Sequence, residues 1–422
     1  MEQCMAETLS LEKLEFAHLI RPGETVLWGQ ATAEPLPLTQ ALMQQRHHVG
    51  HFRVVLGIDR SATCQVEHAD CVEFIAYCGA GSNRALADAG ALRILPSHYS
   101  DFARMLASGE LRIDVLIVQV APANSQGRYS LSLACEYLLG CVDSARLVIA
   151  EVNQQAPWTY GERTLTAQDL DIIVHTNRPV LESPPSRIRE ADRLIAGHIA
   201  HLVDDGATLQ TGIGALPDAV LGALADHRDL GVHSGSLGDG VAALMQCGAV
   251  TNRRKTINRG VTVGGVLMGS KALYGFAHNN PALQLRSTQY THNARVMANI
   301  EQFVAINSAI EVDLTGQINS EMAAGSYVGA VGGVLDFTRA AQRSRGGLPI
   351  IALPSTAGSH SRIVCRLNGP VTIGRSDAGL IVTEFGVADL RGLTLDQRMQ
   401  KMLAIAHPEH RAALEQAIES GK

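Results

Sequence analysis

Pro22-Gly23-Glu24-Thr25-Val26-Leu27-Trp28-Gly29 and Asp205-Gly206-Ala207-Thr208-Leu209-Gln210-Thr211-Gly212 decide the fold, because they write one pattern twice. Each opens on a glycine turn, runs through a short strand-forming stretch and ends on another glycine. A proline follows in each copy, Pro35 or Pro217, and then an Ala-Leu pair suited to a helix, Ala41-Leu42 or Ala223-Leu224. Glycine turn, strand, glycine loop and new helix form the repeating unit of an open α/β domain. The repetition predicts two related open α/β domains, each with a largely parallel sheet. Chance likeness between two glycine-rich loops is the competing reading. The boundary is expected in Arg178-Pro179-Val180-Leu181-Glu182-Ser183-Pro184-Pro185, where the prolines oppose any regular element. This gives an N-terminal domain over 1–186 and a C-terminal domain over 187–422.

The rhythm continues outward from these motifs. Apolar runs at Val54 to Gly57, Val115 to Val120, Leu147 to Val152, Val261 to Gly265, Ile350 to Leu353 and Leu380 to Thr383 each stop at turn or polar residues, as buried parallel strands do. Between them, Asp192 to Val203 carries Leu194, Ile195, Ile199, Leu202 and Val203 at near-helical spacing, and Ala219 to Ala225 reads as another helix.

Composition narrows the function. The chain has 422 residues, 46% apolar and 18% charged, enough for two or three domains with substantial cores. Thirty-five Lys plus Arg against 41 Asp plus Glu leave a net charge of −6, without the basic excess of a nucleic-acid or bilayer binder. Aromatic residues at 4% offer few stacking platforms for single strands. The eight Cys, at 4, 64, 71, 78, 135, 141, 247 and 365, form no Cys-x-x-Cys pair and read as reduced thiols. Met1 to Glu15 lacks the basic end and apolar stretch of a signal peptide, and no run approaches 18 apolar residues. The expectation is a soluble cytoplasmic protein whose partner is a small molecule or another protein, with no nucleic acid, membrane or metal partner.

The chemistry-bearing candidates are glycine loops. Thr211-Gly212-Ile213-Gly214-Ala215-Leu216-Pro217 follows a predicted strand and precedes a helix, so backbone N–H groups can approach an anion. It lacks the third glycine of a dinucleotide fingerprint and the Gly-Lys-Ser/Thr of a P-loop. A tight turn without a ligand is its structural alternative. Gly325, Gly329, Gly332 and Gly333, before Asp336-Phe337, offer backbone donors to a developing oxyanion, or a close crossover against a strand. His47, His48 and His51 lack an acid to complete a metal set and read as a solvated loop. Cys64, Cys71 and Cys78 recur every seven residues and read as buried thiols. Ser355 lacks the nucleophile elbow of a serine hydrolase. Arg253-Arg254-Lys255 is either a contact for phosphates or a solvated surface.

Several longer segments carry a resemblance. They are Gln210 to Pro217, Gly248-Ala249-Val250-Thr251-Asn252, Gly269-Ser270 through Tyr274-Gly275-Phe276, Asn307 to Gln317, Gly332-Gly333 before Asp336-Phe337, and Thr383-Glu384-Phe385-Gly386-Val387-Ala388-Asp389-Leu390-Arg391-Gly392. Asp114-Val115-Leu116-Ile117 and Glu151-Val152-Asn153 agree more loosely. In this order they resemble the acetyl-CoA hydrolase/4-hydroxybutyrate CoA-transferase family, of the class I CoA-transferase superfamily, along nearly the whole chain.

The resemblance implies two related α/β domains with coenzyme A bound in the cleft between them, and frequently a homodimer. Gly212, Ile213, Gly214, Ala215, Gly332 and Gly333 then fall to cofactor binding. It further implies that a Glu side chain attacks an acyl-CoA thioester, giving an acyl-glutamyl anhydride and free CoA, which passes to a second carboxylic acid. A carboxylate desolvated beside backbone donors, with pantetheine binding energy behind it, is able to do this.

The catalytic position departs from that pattern. The family's Glu falls in a His-Ser/Thr-Glu segment ahead of Asp-Gly, and this chain reads His233-Ser234-Gly235-Ser236-Leu237-Gly238-Asp239-Gly240. Gly235 has no side chain to form an anhydride. Asp226 and Asp229 precede His233, so no slip of register restores an acid. Val334 stands where a Gln often follows the double glycine, and Ala378-Gly379 where a His often follows Asp377. Glu384 matches a family acid that lines the site, and Asn293 a polar residue that fixes the anhydride carbonyl; a buried ion pair or cap is the alternative for both. Three mechanisms remain open. Glu321 or Glu384 replaces the nucleophile; or water enters the space left at Gly235, with Glu384 or His233 as base; or the chain binds acyl-CoA without turnover.

Overall fold

In the computed structural model, residues 6–419 are described. The chain divides into two compact units: residues 1–184 with 263–291, and residues 185–262 with 292–422. It enters the second unit within the proline-rich stretch and returns to the first for residues 263–291.

The first unit is built on eight strands: β1 (Glu7–Leu9), β2 (Thr25–Trp28), β3 (Phe52–Leu56), β4 (Val72–Ala76), β5 (Leu92–Ile94), β6 (Val115–Val120), β7 (Leu147–Asn153) and β8 (Ile172–Thr176). They lie in the order β1-β8-β7-β6-β2-β3-β4-β5, and every neighbouring pair is parallel. All six residues of β6 and all seven of β7 are buried, as strands covered on both faces of an all-parallel sheet are; the polar members Gln119, Glu151 and Asn153 are buried with them. Helix α1 (Leu36–Val49) connects β2 to β3 and buries Leu38, Leu42 and Met43 in a core with Val26, Val54 and Phe74. The strand order reverses between β2 and β6. Open α/β sheets bind ligands outside the carboxyl ends of the strands at such a reversal.

The large sheet of the second unit has six strands: β9 (Thr208–Thr211), β10 (Gly231–Val232), β11 (Phe303–Ser308), β12 (Leu348–Ala352), β13 (Leu380–Thr383) and β14 (Gly386–Asp389). Their order is β10-β9-β11-β12-β13-β14, parallel except for the last pair. The reversal falls between β9 and β11. Its helices include α2 (Glu190–Ala200), α3 (Ala215–Ala223), α4 (Asp239–Gln246), α5 (Ala294–Met297) and α6 (Val334–Arg343).

The architecture is therefore α/β with a large parallel sheet. The predicted runs at Val115 and Leu380 become β6 and β13. The run at Val261 gives only the short strand Thr262–Gly264, outside both large sheets. In α2 the stripe that reaches the core is Ile195 and Ile199; Leu194 points outward at 48% exposure. Among the described residues no helix is long and apolar enough to cross a membrane.

Candidate active site

In the second unit, the repeated motif places its glycine loop at the sheet reversal. Thr208–Thr211 is fully buried as β9, and the chain leaves it through Gly212-Ile213-Gly214 into α3. Gly214 has φ +116°, a conformation that a side chain strongly disfavours, so the turn depends on glycine there. Beneath the loop, Gln210 Nε2 donates to Asn307 Oδ1 (3.2 Å) and Asn307 Nδ2 donates to Gln210 Oε1 (2.9 Å), tying the ends of β9 and β11 together.

The strand beside it delivers the His-Ser-Gly segment. His233 and Ser234 are both 0% exposed. Ser234 Oγ donates to Thr211 O (2.8 Å), which locks the segment against the end of β9. Gly235 comes next, and the ring of His292 lies over it. A Cβ built at Gly235 would stand 2.9 Å from His292 Cε1 and 3.0 Å from Nε2. One built at Gly333 would stand 2.7 Å from the same Nε2 and 3.2 Å from Phe337 Cε2. The rings of His292 and Phe337 pack at 4.6 Å between centroids. Two glycines distant in sequence thus accept one imidazole because neither has a side chain. Burial, and then the neighbouring His233, lower the His292 pKa to about 3, so the ring is neutral and weakly basic.

The other predicted residues fall in separate networks. Glu384, at the end of β13, accepts from Ser355 N at Oε2 (2.8 Å) and from Ser355 Oγ at Oε1 (2.7 Å). Glu321 is 6% exposed and accepts from Thr372 Oγ1 (2.7 Å) and Tyr327 OH (2.9 Å). Each of these carboxylates thus has both oxygens occupied by neutral donors, and those hydrogen bonds hold the lone pairs a nucleophile would need. Asn293 caps α5, its side chain accepting from Arg295 N (2.8 Å). Gly332 adopts φ +55° just ahead of α6. The Arg253-Arg254-Lys255 run is not one solvated surface: Lys255 is 1% exposed and donates to Val232 O (2.8 Å) and Val261 O (2.7 Å). Among the His candidates, His47 does have acid and thiol neighbours, Asp70 and Cys71, rather than His48 or His51. Of the three Cys in the seven-residue series, Cys64 and Cys78 are buried and Cys71 is only partly so; Cys4 lies outside the described residues.

The sequence reading did not single out His292, the neighbour of its candidate Asn293, and no local pattern sets His292 apart. It also missed a polar cluster at the reversal of the first unit. There, after β2, Gln30 Nε2 donates to Glu136 Oε2 (2.6 Å) and Tyr99 OH (2.8 Å), while Gln30 Oε1 accepts from Tyr77 OH (2.7 Å) and Ile58 N (2.9 Å). Tyr99 OH also donates to Glu136. Burial raises the Glu136 pKa to about 7, against the lowering effect of the Tyr99 and Gln30 hydrogen bonds. A cavity of about 840 Å³, lined by Ala121, Arg128, Gln154, Trp158 and His278, opens beside the ends of β6 and β7.

Parallel sheets with glycine loops at their reversals define the class as α/β proteins that bind ligands at strand ends. Comparison with known families matches residues 7–182 to the acetyl-CoA hydrolase/transferase N-terminal domain and residues 269–418 to the C-terminal domain. The chain belongs to the acetyl-CoA hydrolase/transferase family. It is 36% identical over 395 residues to 4-hydroxybutyrate coenzyme A transferase of Clostridium kluyveri, covering 92% of each chain. Among solved structures, RipA from Yersinia pestis superposes with a TM-score of 0.93 at 34% identity, over 98% of this chain and 97% of that one. A 4-hydroxybutyrate CoA-transferase from Porphyromonas gingivalis gives a TM-score of 0.83 at 33% identity, over 99% and 98%.

Proposed function

We propose that this protein processes acyl-CoA thioesters, moving CoA between a short-chain acyl-CoA and a carboxylic acid. The observation that carries the reading is full-length kinship to CoA transferases together with a glycine loop at the sheet reversal of the second unit. In this proposal Gly212, Ile213, Gly214, Ala215, Gly332 and Gly333 approach the cofactor through their backbones, and the donors at Gly332-Gly333 face the developing oxyanion. The protein works as a cytoplasmic homodimer of two CoA-transferase-like domains.

The absence of a side chain at Gly235 leaves a second reading, hydrolysis of the thioester by water, which the kinship to CoA transferases does not favour. The imidazole of His292 already fills the position beside Gly235, and its low basicity makes it a poor proton acceptor. A hydrolytic water would therefore stand elsewhere, with Glu384 or His233 as its base. For transfer, Glu384 or Glu321 would have to exchange its present hydrogen bonds for the thioester carbon.

Incubation with acetyl-CoA, with and without a second carboxylic acid, separates the two. Transfer yields a new acyl-CoA only when the acid is added, whereas hydrolysis releases CoA without it. Hydroxylamine trapping and mass mapping would locate an acyl-enzyme at Glu384 or Glu321. A folded sample that neither turns over acetyl-CoA nor binds it by calorimetry would overturn the proposal.

A further inference from the structure

On the first unit, three side chains line up in an arrangement that the proposed reaction does not use. His47 lies in the last turn of α1, and Asp70-Cys71 leads into β4. The His47 ring meets a different partner at each nitrogen: Nδ1 is 3.3 Å from Cys71 Sγ, and Nε2 is 3.3 Å from Asp70 Oδ2. Arg46 grips Asp70 with a two-pronged contact, Nε to Oδ1 at 2.9 Å and Nη2 to Oδ2 at 3.1 Å, and so fixes the carboxylate that faces the ring. A carboxylate facing Nε2–H leaves the Nδ1 lone pair directed at the thiol. Nucleophile, base and orienting acid stand in the order that activates a thiol.

The remaining described cysteines supply the contrast. Cys64, Cys78, Cys135 and Cys141 are buried, and burial pushes each of their thiols above the ordinary range. Partial burial does the same to Cys365. Cys247 is exposed, but its Sγ faces backbone carbonyl oxygens, Leu244 O at 3.5 Å and Ala225 O at 4.0 Å, which do not serve as bases. Only Cys71 in this set combines access with an imidazole.

We propose that Cys71 is a nucleophilic thiol that accepts an acyl group from an acyl thioester, with His47 as its base and Asp70 as a positioning residue. The Sγ proton passes to His47 Nδ1 as sulfur bonds to the thioester carbonyl carbon. The bond from that carbon to the outgoing sulfur breaks, and the departing thiolate takes the proton from His47. One thiol and one thioester give one thiol and one thioester, so no oxidant or reductant is needed. That the donor is acyl-CoA rests on the proposed function; the activation of the thiol does not. The same side chains bring one ligand atom each within 4.8 Å, but Arg46 places a cation on the carboxylate that a metal ion would need.

Sub-stoichiometric iodoacetamide on the full chain, followed by peptide mass mapping, should alkylate Cys71 about tenfold faster than Cys247. His47→Gln should bring Cys71 down to the Cys247 rate, and Asp70→Asn should slow it about threefold and displace its pH profile. Equal rates at the two thiols, or a rate at Cys71 indifferent to His47→Gln, would overturn the proposal. Acetyl-CoA and the S-acetyl thioester of N-acetylcysteamine, which lacks the nucleotide, should both add an acetyl group to the Cys71 peptide that neutral hydroxylamine removes. Label from the small thioester alone upholds the thiol and counts against the CoA reading. No label from either, in a chain that still binds acetyl-CoA, rejects the acyl-acceptor role. Suppression of alkylation by zinc, reversed by a chelator, would mark a metal site and reject it too.

Discussion

Gly29 and Gly212 end the two copies of one strand motif, and a methyl group would fare differently at each. At Gly29 a Cβ would lie 2.5 Å from Ala33 O, because the chain folds straight back in a short turn over Ala31–Ala33. At Gly212 the nearest atom would be Pro217 Cγ, 3.9 Å away. Beyond Gly29 the reversal is filled by side chains, Gln30, Tyr77, Tyr99 and Glu136, held by Gly57, whose Cβ would be 2.4 Å from Gln30 Cβ. Beyond Gly212 the loop keeps open backbone. A duplicated motif thus preserves its strand and turn while its two loops diverge, one toward packing and one toward room for a ligand.

The strongest way to break this comparison is the pair Gly29→Ala and Gly212→Ala. The first should lose about 3 kcal/mol, since backbone must move to admit the methyl, and the second less than about 0.5 kcal/mol. Urea denaturation of both variants measures the difference, and similar losses would erase the distinction.

Glu136 gives a comparable effect that depends on pH. Its pKa rises from 4.5 to about 7 on folding, so the folded state holds the proton more tightly than the unfolded chain. That contribution is complete below pH 4.5 and is lost as pH climbs through 7, a loss of roughly 3 kcal/mol. Glu136→Gln should remove this slope, making the variant gain on the parent between pH 5 and pH 8 in denaturation curves.

In the second unit, Gly235→Ala should lose about 2 kcal/mol to the His292 ring, and His292→Ala should make the added methyl nearly neutral. A double-mutant cycle reads the coupling. Under the proposed function, Gly235→Glu alone gains no acyl-enzyme, because the ring stands where the carboxylate must go. The smallest effect is expected at Glu384→Gln, about 1 kcal/mol, through a weakened hold on Ser355. Should Glu384 be the nucleophile, trapping of an acyl-enzyme would disappear in that variant with the fold intact.

Much of the scaffold was legible in the residues. Mostly apolar runs such as Val115–Val120, bounded by turn signals, have the pattern of strands buried on both faces of a parallel sheet, and Gly214 is needed where φ reaches +116°. The site was legible in part. Gly212 to Ala215 stood out because a turn is a local property, and Gly235 only because the resembled family implies a Glu there. Glu321 and Glu384 drew attention as acids, yet the structure binds each to neutral donors that no spacing along the chain announces. Lys255 belonged to a basic run on paper and is buried among carbonyl groups in the fold.

By itself, then, the sequence determined the strands, the turns that demand glycine and the repeated strand-loop motif, all of which follow from torsional sterics and the periodicity of burial. Only the tertiary structure decided that His292 covers both Gly235 and Gly333, that Gln30 and Glu136 share a buried network, and that His47 joins Cys71 to Asp70. These are meetings between distant segments, fixed by packing and by the need of every buried polar group for a partner, and no stretch of chain carries that information alone.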